Sequence, residues 1–220
     1  MGRNKLDKFR DNALRSNVIE PGKDILNSIK GNWRNMQFNN QNPLVLELAC
    51  GKGDYTVGLG RLFPGKNFIG VDIKGSRIWT GSSLAETDGL RNVAFLRIHI
   101  LNLGEYFEEN EVDSIWITFP DPRPRDRDER KRLIHPRFLE IYRKILKPGG
   151  TIFLKTDNDL LFRYSLDILS NFEGVEGLVF TWDLYHSDLL DDHYNLMTNY
   201  EKKFLEEGIK IKYLKFSFTG

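Results

Sequence analysis

The sequence predicts an α/β fold, a doubly wound and mostly parallel sheet covered by helices. Three observations predict it. Short apolar runs of strand length alternate with segments of helical period from Pro43 onward. The first run ends in a glycine turn, Gly51-Lys52-Gly53, that opens a helix. The second run ends on an acid, Asp72, about 20 residues beyond that turn. In such sheets ligands bind beyond the carboxyl ends of the strands, so the residues placed there carry the functional argument.

The elements follow in order. Residues 1–40 form a polar arm rich in Asn, Lys and Arg, with apolar anchors at Phe9, Ile25, Ile29 and Trp33. The arm is expected to lie on the domain and to be partly disordered, and residues 41–220 to form a single domain. Strands are expected at 44–48, 68–71, 93–98, 112–117 and 151–154, with helices at 55–62, up to about 87, at 136–146 and at 160–169. Lys147-Pro148-Gly149-Gly150 stops one helix and turns into the next strand. The last third reads as strand from 179 to 184, then helix, then a strand in which Ile209, Ile211 and Tyr213 alternate with lysines. Tyr200 and Phe204 share a helical face and read as core, not as base-stacking platforms.

Composition bounds the partners. A chain of 220 residues with 40% hydrophobic and 12% aromatic content can bury one sizeable core. No apolar run approaches the roughly 18 residues of a membrane span, and the first residues lack a signal peptide's apolar segment, so a cytoplasmic protein is expected. The single cysteine, Cys50, excludes an intramolecular disulfide framework and paired-cysteine zinc sites, and no metal is expected. Its place in an apolar run makes it a small buried residue. A net charge of +1 argues against a general nucleic-acid coat and leaves local basic patches as RNA contacts.

The glycine turn is only half of a dinucleotide fingerprint, because position 56 is Thr56, and no Gly-Lys-Ser/Thr follows to make a phosphate loop. Asp72 stands where an acid can accept from both hydroxyls of a ribose. Glu47, at the mouth of a buried strand, needs a partner, and a ligand's cationic amino group is the obvious one. An adenosine ligand with a positive end and no phosphate requirement describes S-adenosylmethionine better than NAD. The spacing therefore favours a methyltransferase, with a nucleotide-binding oxidoreductase and a Rossmann-like domain without turnover as open alternatives.

Phe119-Pro120-Asp121-Pro122 ends the fourth of the apolar runs on a carboxylate between prolines, a turn stiff before any ligand arrives. Six cations follow, Arg123, Arg125, Arg127, Arg130, Lys131 and Arg132, against Asp126, Asp128 and Glu129. This segment reads either as a solvated loop or as a set of phosphate contacts, extended by Arg3, Lys5, Lys8 and Arg10. Asp157-Asn158 reads as a helix N-cap, a substrate contact, or both through different groups.

These motifs, with Lys155-Thr156-Asp157-Asn158 and Thr198-Asn199-Tyr200-Glu201, resemble those of the bacterial tRNA (guanine-N7-)-methyltransferases, in order from about residue 43 to 218. The resemblance implies a Rossmann-like class I methyltransferase fold, with a seven-stranded sheet whose C-terminal strand is antiparallel. It implies S-adenosylmethionine as cofactor, tRNA as partner, a monomer or homodimer, and methylation of guanine forty-six of the variable loop. By resemblance Glu47 and Asp72 hold the cofactor, Gly51 and Gly53 line its path, and His99 makes a further contact, with Asn102 close by. Asp121 lies at the reaction centre beside the cofactor, while Arg125, Asp157, Thr198 and Glu201 meet the tRNA. The chain departs from the family pattern at Arg123, where Trp is frequent, at Asp128, where His is common, and at His99, usually Asp or Asn. Guanine N7 carries a lone pair and no proton, so Asp121 is expected to position the base and not to deprotonate it.

Overall fold

The computed structural model describes residues 4–219. Its first elements are α1 (Lys5–Leu14), β1 (Val18–Ile19), β2 (Leu44–Leu48), α2 (Asp54–Leu62), β3 (Asn67–Val71), α3 (Gly75–Thr87) and β4 (Val93–Leu96). The remainder are α4 (Leu103–Tyr106), β5 (Val112–Thr118), α5 (Pro136–Ile145), β6 (Leu146–Thr156), α6 (Asp159–Asn171), β7 (Val175–Thr181), α7 (Asn199–Glu206) and β8 (Lys212–Phe218). The eight strands lie in the order β1-β4-β3-β2-β5-β6-β8-β7. All pairings are parallel except those of β8, which runs antiparallel to β6 and to β7.

The α/β fold is the one expected, with an eighth strand in addition. That strand comes from the arm. Val18 and Ile19 pair with Phe95 and Leu96, in a run too short for any period to betray. The arm also supplies core: Ile29 and Trp33 are fully buried, and the Trp33 ring stacks on Phe107 at 5.2 Å while its Nε1 donates to the Tyr106 carbonyl at 2.8 Å. α1 packs on α3, where Asn12 Nδ2 donates to the Gly75 carbonyl and Trp79 Nε1 to Asp11 Oδ2.

Alternation sorts each strand's side chains to two cores. Leu44, Leu46 and Leu48 join one with Ile69, Ile115 and Ile152, while Val45 joins Phe68, Phe95, Trp116 and Tyr213 on the other face. The expected helix stop at Lys147-Pro148-Gly149-Gly150 lies inside β6 as an irregularity. Pairing there jumps from Val112↔Leu146 to Ser114↔Thr151, and Gly149 takes a left-handed φ of 74°. The winding reverses between β2 and β5, so the loops after β2, β3, β4, β5 and β6 converge on one edge.

Candidate functional site

A cavity of about 1040 Å³ opens at that edge. Its lining runs from Ala49, Asp72 and His99 on one side to Asp121, Asp157 and Tyr200 on the other. Below it the glycine loop takes left-handed backbone at Ala49, Gly51 and Gly53. Gly53 has no room for a side chain, since a Cβ would lie 2.6 Å from Phe95 Cε1. Asp72 is the brace of this half. One carboxylate oxygen accepts from Gly51 N at 3.0 Å and the other from Lys74 N at 2.8 Å, which fixes both loops around it.

Glu47 does not line the cavity. Its carboxylate accepts from Thr56 N at 2.8 Å, from the Thr56 hydroxyl, and from Thr118 Oγ1 at 2.5 Å. The partner expected of a ligand's amino group is thus supplied by the chain, and by Thr56, the very residue that breaks the dinucleotide fingerprint. Burial pushes the Glu47 carboxyl up to about 7 despite these donors. It links β2 to α2 and to β5.

The Asp121 turn is strained at both ends, with φ of 48° at Phe119 and at Arg123. Phe119 N donates to the Lys155 carbonyl at 2.8 Å, tying the turn to β6. Arg123 closes it, with N donating to Asp121 Oδ1 at 3.2 Å and Nε lying 3.3 Å from Oδ2. Here the residue that departs from the family pattern holds the carboxylate itself.

The basic segment divides. Arg132 is 6% exposed and donates to the Arg123 carbonyl at 3.1 and 3.2 Å, so it is a brace and not a phosphate contact. Lys131 pairs with Asp128 at 2.6 Å and pulls that carboxyl below its usual range. Arg127 and Arg130 line the cavity, whereas Arg125 is exposed outside that lining. Lys74 and Arg77 at the start of α3 and Arg137 on α5 add cations to the cavity. Sequence reasoning missed these three, because no linear spacing connects them to the segment they face. Arg3 lies outside the described residues.

Asn158, not Asp157, caps α6, accepting from Leu161 N at 2.9 Å. The Asp157 carboxyl is left to the cavity, and burial raises its pKa. His99 lines the cavity with Nδ1 accepting from Leu101 N at 3.3 Å, so its neutral ring carries the proton on Nε2. Asn102 is exposed and does not line the cavity.

Residues 41–214 match the family described as putative methyltransferase. A tRNA (guanine-N(7)-)-methyltransferase of Cytophaga hutchinsonii is 48% identical over 99% of both chains. One of Bacteroides thetaiotaomicron is 48% identical over 98% of this chain and 86% of that one. The chain belongs to the tRNA (guanine-N7-)-methyltransferase family. An antibiotic-related methyltransferase of known structure, 19% identical over 93% of this chain and 98% of its own, shares the fold at a TM-score of 0.62.

For this family member, the resemblance assigned Thr198 and Glu201 to tRNA, and the structure commits both elsewhere. They form the capping box of α7, with Thr198 Oγ1 accepting from Glu201 N and the Glu201 side chain from Thr198 N. Glu201 and Lys155 are both fully buried and pair at 2.6 Å, and Tyr185 donates its hydroxyl to Glu201 at 3.0 Å. Burial lowers the Lys155 pKa while Glu201 opposes the shift. Tyr200, read from periodicity as core, is 61% exposed and lines the cavity. Phe204 is partly buried against Phe119, the two rings 6.0 Å apart, and lines the cavity as well. Among the described residues no helix is long and apolar enough to cross a membrane, and no group of three or more His, Cys, Asp or Glu is placed to hold a metal ion.

Proposed function

We propose that this protein methylates N7 of guanine forty-six in the tRNA variable loop, with S-adenosylmethionine as donor. The observation that carries this reading is one cavity shared by two half-sites, the Asp72-braced glycine loop and the Asp121–Asp157 carboxylate pair, beneath a rim of arginines and lysines. The near full-length likeness to proteins named for this activity on tRNA supports the same choice of substrate.

The residues present fit the donor. Each Asp72 oxygen uses one lone pair on a backbone N–H and keeps another for a ribose hydroxyl. Gly51 leaves its backbone open, whereas Gly53 is glycine because Phe95 fills the space of a side chain, and His99 offers Nε2–H to an acceptor of the adenine ring. When bound, S-adenosylmethionine supplies an electrophilic methyl group on sulfonium. Glu47 acts one step removed, by fixing the loop through Thr56.

Asp121 accepts hydrogen bonds from guanine N1–H and the exocyclic amine, and Arg123 sets its orientation. No base is required, since N7 already presents its lone pair. The work of the site is alignment within about 3 to 3.5 Å and stabilisation of the charge that spreads over the ring. Asp157 is the second carboxylate at the same edge, and Arg125 reaches phosphate at the periphery. Thr198 and Glu201 contribute by holding the first turn of α7.

Incubation with labelled S-adenosylmethionine and unmodified tRNA, followed by borohydride and aniline cleavage, should cut at one guanine of the variable loop. Cleavage at another site, or none with donor bound, overturns the reading. In the same assay Asp121→Ala should abolish turnover and weaken donor binding far less.

A further inference from the structure

We infer that Tyr200 is the surface on which the guanine ring stacks during transfer, an inference that rests on the function proposed above and names the group that grips the base. The first turn of α7 is anchored at three points. The Thr198–Glu201 capping box closes it, Lys155 pairs with Glu201 at 2.6 Å beneath it, and Asn199 Nδ2 donates to Asp54 Oδ2 at 2.8 Å. The last bond ties the turn to α2, the helix that the glycine loop opens.

None of these anchors involves Tyr200. Its side chain lines the cavity beside Asp121 and Asp157, 61% exposed, and among the described residues no hydrogen bond, ion pair or ring contact occupies it. The anchors fix the backbone from which this side chain projects before any ligand arrives, which lowers the entropy cost of contact. A base that leaves its own stack to reach an enzyme's reaction centre loses its stacking neighbours, and an aromatic side chain replaces one of them.

The chemistry favours this ring further. Guanine N7 forms its bond to the methyl carbon as the carbon–sulfur bond breaks and that electron pair leaves on sulfur. Positive charge passes to the purine and no proton moves. A phenol face attracts a cationic ring more strongly than a neutral one, so Tyr200 holds the transition state more tightly than the substrate.

The test is steady-state kinetics of the full chain and its Tyr200→Phe, Tyr200→Leu and Tyr200→Ala variants on unmodified tRNA. The Phe variant should stay within about threefold of wild type, while the Leu and Ala variants lose roughly 10- to 100-fold in kcat/KM for tRNA, partly in kcat. The KM for S-adenosylmethionine and the melting temperature should not change. A Leu variant as active as the Phe variant overturns the inference, as does a loss that follows donor binding or melting. A wild-type protein that binds donor and leaves tRNA unmethylated overturns the proposed function, and this inference with it.

Discussion

Thr56 and Thr118 surround the Glu47 carboxylate with donors, yet burial still holds its pKa at about 7. The unfolded chain releases that proton near 4.5, so between about 4.5 and 7 the folded state binds more protons than the unfolded one. Stability from this group is therefore fully present below that window and is lost as pH rises through it. The ceiling on the loss is about 3 kcal/mol, at roughly 1.4 kcal/mol per pKa unit. Glu47→Gln copies the protonated carboxyl: its oxygen can face Thr56 while its amide donates to Thr118, whose hydroxyl turns to accept. The variant should melt above wild type at pH 8, with the difference closing by pH 5. Equal differences at both pH values would remove the ionised carboxylate from the account. The same residue separates two meanings of a site motif. Its position at the strand mouth was legible in the sequence, but its partner was not, because Thr118 lies 71 residues away and meets it only through the β2–β5 pairing.

At the scale of elements, the arm and the sheet are one packing problem. Trp33 stacks on Phe107 with no exposed surface, and β1 pairs along the edge of β4. We propose that the arm and residues 41–220 unfold together. Trp33→Ala should then cost about 3 to 5 kcal/mol in urea while the transition stays single, as expected for an emptied core site. A separate early transition with the main midpoint unmoved would make the arm an independent layer. Parallel strands buried on both faces read as apolar runs, which is why β2, β3, β4 and β5 were legible. The two residues of β1 carry no period. α7 fails for another reason: helical spacing groups Tyr200 with Phe204, but only the fold decides that both meet the cavity, Phe204 partly buried and Tyr200 mostly exposed. The Asp157-Asn158 pair was ambiguous because both residue types favour an N-cap, and a backbone N–H chose Asn158.

Across the whole molecule the net charge of +1 hides a polarised surface. Lys74, Arg77, Arg123, Arg127, Arg130, Lys131 and Arg137 line one cavity from three separate segments, and outnumber Asp72, Asp121 and Asp157 there. Such a field attracts a polyanion to one edge without coating the rest of the protein. Each phosphate contact that releases a counterion steepens the dependence of binding on salt by roughly 0.7 to 0.9 units of log K per log salt. Arg127→Gln with Arg130→Gln should therefore flatten the slope for tRNA by about 1.5 units, if both contact phosphate, and leave donor binding unchanged. Arg91, in the loop that enters β4 at the opposite edge of the sheet, is the control: Arg91→Gln should leave the slope as it is. Titration of tRNA by fluorescence polarisation at several potassium chloride concentrations measures both. If the Arg91 variant flattens the slope as much as the double variant, the charge acts through the molecule as a whole and the cavity rim has no special place in RNA binding.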